Sequence, residues 1–177
     1  MRNLIVAALL VGVGVFGFLH QPGHHRPTPI PDAAPGASPT APRPMGQNVI
    51  AYHVGDESIE AARRKAHATL PRFRELIAAD LPATYTVKFS LTQNGETEHI
   101  WMQLIRERDG VFSGLLANVP ENGDEYKKGD PISVAEADVE DWMVRTSSEM
   151  YGGYTVRAML KDIPQKDADK YRKMFRD

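Results

Sequence analysis

The strongest constraint on this chain is a run of strict alternation. From Thr84 to Thr92, Tyr85, Val87, Phe89 and Leu91 are apolar, while Thr84, Thr86, Lys88, Ser90 and Thr92 are polar. Successive side chains on a strand point to opposite faces, so this is a half-buried β-strand. Asn94-Gly95 follows, the favoured pair for a two-residue type I′ hairpin. The turn sets the register: Gln93 pairs with Glu96, Phe89 faces Ile100, Val87 faces Met102 and Tyr85 faces Leu104. A one-residue slip would invert every side chain, so pattern and turn support each other. Asp109-Gly110 makes a second such turn, which sets Leu104 opposite Leu115 and Met102 opposite Ala117. Thr84 to Val119 therefore reads as a three-stranded antiparallel meander. Its other face carries Lys88, Trp101 and Asn118 in one cross-strand row, with Ser90 and His99 beside them. Ile105, Phe112 and Leu116 suggest that part of this second face is also covered.

Before the meander, Asp56 is a good N-cap with Glu57 and Glu60 in the first turn. Ile59, Ala62, Ala66, Leu70, Phe73 and Ile77 then recur at helical spacing across Pro71. This is one kinked helix or two in tandem, packing a stripe on the sheet. Its outer face carries Arg63, Arg64, Lys65, Arg72 and Arg74, either a solvated surface or an anion-binding patch. After the meander, Pro120 to Lys128 is a polar loop, and Gly129-Asp130-Pro131 turns into a short strand, Ile132 to Val134. Val139 to Arg145 leans to strand, Gly152-Gly153 is a turn or close approach, and Tyr154 to Lys161 fits helix or strand. A final amphipathic helix starts at Pro164 and reaches Phe175. The fold class expected is α+β: an antiparallel sheet, the three-stranded meander plus one or two further strands, packed against an N-terminal kinked helix and a C-terminal helix.

Three segments divide the chain: residues 1–20, 21–47 and a single α+β domain at 48–177. Met1-Arg2-Asn3 is a short positive start, and Leu4 to Leu19 is a run of 16 residues without charge or strong polarity. As a helix it would be ~24 Å long, short of a ~30 Å bilayer core. No Ala-x-Ala follows the run, which favours an uncleaved membrane anchor through residues 4–19 over a cleaved signal. Either reading places the remainder outside the cytoplasm, in the periplasm or secreted. Gln21 to Gly46 holds eight of the 13 prolines, an extended linker reaching up to ~80 Å. His24 and His25 in it read as linker polarity rather than a metal pair.

Net charge is −2 and the part from Gln47 onward is net −4, so composition supplies no argument for nucleic acid. The absence of cysteine removes disulfides, thiolate nucleophiles, Cys-ligated zinc and a lipoprotein's acylated Cys.

Several residues agree in order with a known family. They are Thr69-Leu70-Pro71-x-Phe73, Val87-Lys88, Glu98-His99-x-Trp101, Gly110-x-Phe112-x-Gly114-x-Leu116-x-Asn118-x-Pro120, Gly129-Asp130, Asp141-Trp142 and Gly152-Gly153-Tyr154-Thr155-x-Arg157. The chain resembles the bacterial domain of unknown function 2314, the YegJ-like proteins, over about Asp56 to Leu160. The resemblance implies a small α+β domain, often in secreted or envelope proteins, and no particular activity.

The chain has no Gly-rich phosphate loop, no His-Glu-x-x-His and no Gly-x-Ser-x-Gly. A nucleophilic site would have to use His99 with Ser90 across the strands or with Glu98. Glu98 projects toward the apolar face, where the wet end of the sheet would accommodate it. Glu121 to Asp141 has eight carboxylates against two lysines but no calcium-loop pattern. No metal or cofactor is expected. The candidate binding face is Lys88, His99, Trp101 and Asn118, with Asp141 and Arg157 as secondary candidates, because an aromatic ring beside a cation and an amide offers contact area and orientation together. The alternative is that Trp101 is core under the C-terminal segment, with Lys88 lying over it. Three functions are compatible with this sequence. The first is a non-enzymatic binding module facing an unknown envelope protein or ligand. The others are an envelope hydrolase using His99, and an inhibitor or immunity-like protein acting through the acidic loop.

Overall fold

The computed structural model describes residues 56–176 in full and the backbone of two further strands, β1 (Leu4–Ala8) and β2 (Val49–His53). The meander forms as β3 (Thr84–Gln93), β4 (Glu96–Arg108) and β5 (Val111–Leu116). Both turns have the left-handed backbone that type I′ requires: φ is +50° and +77° at Asn94 and Gly95, and +52° and +76° at Asp109 and Gly110. The first turn sets the expected register, with Phe89 opposite Ile100 and Val87 opposite Met102.

The second register differs from expectation. Pairing runs from Arg108–Val111 to Arg106–Ser113, then skips Ile105, so Leu104 meets Gly114 and Met102 meets Leu116. A β-bulge at Ile105 adds one residue to β4. Phe112 and Leu116, expected on the second face, therefore turn into the first-face core, where they are 0% and 1% exposed. Ile105 is thrown outward, 68% exposed.

The sheet continues through β6 (Pro131–Ala135), β7 (Asp141–Arg145), β8 (Met150–Gly152) and β9 (Phe175–Arg176). Its order is β2-β1-β4-β3-β7-β8-β9, with β5 on β4 and β6 on β5. All pairs are antiparallel except β1–β4 and β8–β9.

The N-terminal helical stripe is two helices, α1 (Glu57–Ala68) and α2 (Leu70–Ala78), broken at Thr69, with Pro71 in the first turn of α2. Asp56 caps α1 by accepting the Ser58 and Ile59 N–H groups. Ala66, Leu70, Phe73 and Leu76 cover the first face of the sheet, where Trp142 stacks on Phe73 at 5.0 Å. The ambiguous C-terminal stretch is α3 (Tyr154–Met159), followed by α4 (Gln165–Met174). Val156 and Met159 of α3, with Ile59 of α1, bury Trp101, Met143 and Met150 on the second face. Tyr171, Met174 and Phe175 pack against that cluster. The architecture is α+β, as expected, with helices on both faces.

The anchor and linker expectations cover residues 1–47. Of these, only Leu4–Ala8 is described, as a strand, and the rest, including His24 and His25, lies outside the described residues. Among the described residues no helix is long and apolar enough to cross a membrane.

Candidate functional site

Alternation on three adjacent strands gathers the polar residues of the second face. β3 supplies Lys88 and Ser90, β4 sets Trp101 opposite Lys88 and His99 opposite Ser90, and β7 sets Asp141 opposite Lys88. Glu140 precedes β7, and its backbone N–H donates to the Lys88 carbonyl at 2.8 Å. Arg63 of α1 and Thr155 of α3 close over the cluster.

The inner half is sealed. Asp141 is 0% and Lys88 3% exposed. One oxygen of Asp141 accepts the N–H groups of Trp142 at 2.9 Å and Tyr154 at 3.1 Å. The other accepts the Thr155 N–H at 2.8 Å and its hydroxyl at 2.7 Å. Asp141 thus ties β7 to the first turn of α3, giving free amide groups there a partner. Lys88 Nζ donates to Thr155 Oγ1 at 3.4 Å and lies 5.8 Å from the Trp101 ring centroid. Burial pushes the Lys88 pKa down, opposed by the charges of Glu140 and Asp141. Burial pushes Asp141 up, opposed by the Thr155 hydroxyl and amide and by Lys88. Burial disfavours the charged form of each, and the charge of the other favours it, as do the Thr155 hydrogen bonds to Asp141.

The outer half centres on Glu140. It accepts Ser90 Oγ at 2.6 Å and His99 Nδ1 at 2.6 Å, and Arg63 lies 3.4 Å away. Burial favours the neutral acid, but the hydrogen bond and charge of His99, then Arg63 and Ser90, outweigh it and hold the carboxyl at about 2. A guanidinium can only donate. In the neutral ring, a proton on Nδ1 donates to Glu140 and leaves Nε2 to accept from Arg63 at 3.4 Å; the doubly protonated ring supplies the charge that depresses Glu140.

This is not the wiring of a nucleophilic triad, in which one ring nitrogen takes the serine proton and the other faces the carboxylate. Here Ser90 and Glu140 both address Nδ1, and the Ser90 proton goes to Glu140. Among the described residues no group of three or more His, Asp or Glu is arranged to hold a metal.

The structure brings Lys88, His99, Trp101 and Asp141 together, as part of the interior. Trp101 is 0% and His99 7% exposed, so the candidate binding face is covered by α1 and α3, in keeping with the alternative in which Trp101 is core beneath the C-terminal segment. Asn118 is displaced from the cross-strand row by the bulge: Ala117 now bonds Trp101, and Asn118 Oδ1 accepts the Trp101 N–H at 3.1 Å. Arg157 points elsewhere, donating to the Gly152 carbonyl at 2.9 Å and to that of Arg176, with its guanidinium 4.5 Å from the Phe175 ring centroid.

Glu98 is also corrected. Instead of resting at a wet end it is 4% exposed, and both its oxygens accept the Glu121 N–H at 3.2 Å. Gln93 and Asn94 complete the attachment, binding the Tyr126 N–H and the Asn122 carbonyl at 3.1 Å each, so the acidic loop is stapled to the β3–β4 hairpin. The basic helical face is divided. Arg63 turns to Glu140, Arg74 to Glu107 and Glu136, Arg72 to Glu75, and Lys65 lies over Tyr154.

Sequence reasoning did not single out Glu140, or Arg63 as an individual. A signal for Arg63 existed: it lies four residues after Ile59 and three before Ala66, along the edge of the buried stripe.

Residues 56–175 match the model of a family described as an uncharacterized protein conserved in bacteria, DUF2314. The chain is 28% identical to the uncharacterized protein YegJ of Escherichia coli K12 over 116 residues, covering 66% of this chain and 76% of that protein. It is 30% identical over 139 residues to a putative ankyrin repeat protein of Neisseria meningitidis serogroup B, covering 72% of this chain and 54% of the relative. No solved structure matches. Lys88, His99, Trp101, Asp141 and Thr155 of the interior cluster are among the residues that carry the motif resemblance, and the chain belongs to the DUF2314 family of bacterial domains.

Proposed function

We propose that this chain is a non-enzymatic binding module, tethered by its N-terminal segment to the outer side of a bacterial cytoplasmic membrane, with an envelope protein as its partner. The observation that most supports binding is the outer face of β5 and β6. Val111, Leu115, Pro131 and Ala135 stand exposed there, Ser113 and Ser133 share a 3.0 Å hydrogen bond between them, and Ile105 projects nearby. None of these side chains is charged, in a sequence that is 25% charged. An exposed apolar patch of this kind with a charged rim, here Arg106 and Arg108 of β4, marks protein contact sites. The occupant fitting it is a protein with a complementary apolar patch, whose rim would meet the two cations of β4 on the same face, Arg106 opposite Ser113 and Arg108 opposite Val111. Tethering rests on the apolar run Leu4 to Leu19 and the proline-rich segment after it. Turnover finds little support, since Ser90 has no free base and Lys88 and Trp101 are sealed.

The test is a cross-linking pull-down from membranes, comparing wild type with Val111→Asp/Leu115→Asp. Both positions are already exposed, so the variant should fold, which circular dichroism checks. A specific envelope component captured by wild type and lost in the variant supports the proposal. Identical capture rules out this face, and a catalysed hydrolysis abolished by His99→Ala would replace binding with catalysis.

A further inference from the structure

Five residues of this chain are assigned two incompatible positions, one by the sheet and the other by the tether. β4 is paired along one edge by β3, and on its other edge by β5 only from Met102 to Arg108. Beside that stretch, at Glu98 and His99, the edge is taken by β1 in parallel, through Val6 and Ala7. β1 also pairs with β2 from Leu4–His53 to Ala8–Val49, and among the described residues β2 pairs with no other strand. A segment separated from β2 by 40 residues of chain therefore fills a position one strand wide between β2 and β4. Its sequence, Leu-Ile-Val-Ala-Ala, is uncharged, and Ile and Val favour a pleated strand.

The same residues open the apolar run Leu4 to Leu19. With five residues held in the sheet, the remaining Leu9 to Leu19 would span only ~16 Å as a helix, roughly half the ~30 Å core of a bilayer. The run cannot cross a membrane and keep β1 docked.

We propose that Leu4–Ala8 is a displaceable strand. Docked, it closes the β4 edge beside His99. Withdrawn into the membrane, it leaves that edge and the facing edge of β2 unpaired, and the gap accepts an extended, uncharged peptide strand from a partner. Unpaired strand edges recruit such segments through main-chain hydrogen bonds, with alternate side chains giving selectivity. This rests on the tethering reading above and adds a second binding site, at the β2–β4 gap, that the tether controls.

The chain has no cysteine, so an engineered pair reports docking without interference. Val6 faces Ala51 in the antiparallel β1–β2 pair. Facing Cα atoms lie ~4.5–5.5 Å apart, within disulfide range. The full-length Val6→Cys/Ala51→Cys variant is oxidised in buffer and again after addition of phosphatidylethanolamine–phosphatidylglycerol vesicles, with flotation to recover bound chain. The proposal predicts an intramolecular disulfide in buffer and its loss from floated chain. It further predicts that floated full-length Ala51→Cys captures a peptide of residues 3–9 carrying Val6→Cys, and that the same chain in buffer does not. A disulfide equally strong in floated chain, or none under either condition, overturns the switch. A chain that keeps the disulfide but never floats refutes the tether, and with it the membrane-driven displacement.

Discussion

Replacing Asp141 by Asn isolates the electrostatics of the interior, because the two side chains are nearly equal in size. In the native protein the carboxylate accepts four hydrogen bonds, two on each oxygen. Asn keeps one oxygen and turns the other into a donor. If the Oδ2 position becomes the amide nitrogen, it confronts the Thr155 N–H and hydroxyl; if Oδ1 does, it confronts the N–H groups of Trp142 and Tyr154. Two hydrogen bonds to a charged acceptor are lost either way, each worth ~1.5–3 kcal/mol. Lys88 also loses one of the two carboxylates that oppose its neutralisation, leaving Glu140. Removing one partner of a buried pair costs ~3–5 kcal/mol, and these losses overlap, so about 4 kcal/mol is expected in total. With a urea slope of ~2 kcal/mol per molar, the midpoint should fall by about 2 M at unchanged slope. A fall of less than ~0.5 M, equivalent to ~1 kcal/mol on that slope, would refute the reasoning. Lys88→Met combined with Asp141→Asn supplies the cycle. Because it removes the stranded cation, the double variant should be more stable than the sum of the single losses, whereas independent sites would add to within ~0.5 kcal/mol.

Glu140 gives the pH dependence. Its folded-state value is depressed from 4.5 to about 2, so its contribution is fully present above ~4.5 and disappears as pH falls through ~2. That interval corresponds to ~3 kcal/mol, and His99→Ala should flatten the stability profile between pH 5 and pH 2, as read by urea midpoints across that range. Gly114→Ala should prevent the β4–β5 pairing, since its methyl would overlap the Gln103 carbonyl; the expected cost is ~3 kcal/mol or more by thermal melting. Trp142→Ala should cost ~3–5 kcal/mol, because the ring is 1% exposed, stacks on Phe73 and donates to the Ala66 carbonyl. A Trp142→Ala protein that melts within a degree of wild type would exclude that packing role.

The first hairpin was legible because two independent signals, alternation and Asn94-Gly95, specify one register. The second turn was equally clear, yet the register beyond it was not, because a bulge is invisible to a count outward from the turn. Its trace in the sequence is Gly114, a glycine inside a strand, placed where β4 approaches too closely for a side chain. The polar row of the second face was readable from alternation, but the choice between an open face and a covered Trp101 was not. That burial depends on α3 and α4, whose docking is decided by Val156, Met159 and Tyr171 far along the chain. Glu98 was misread for the same reason: its donors come from a loop over 20 residues away, and local sequence gives no hint of them.

The Lys88–Trp101 face is closed, and the outer face of β4–β6 is open. Hydroxyl-radical footprinting of the full-length protein tests this directly. Oxidation is expected at Ile105, Leu115 and Val119, with Trp101 and Trp142 protected to the same degree. Oxidation of Trp101 at the rate of an exposed indole, while Trp142 stays protected, would contradict it and return the binding site to Lys88, His99, Trp101 and Asn118.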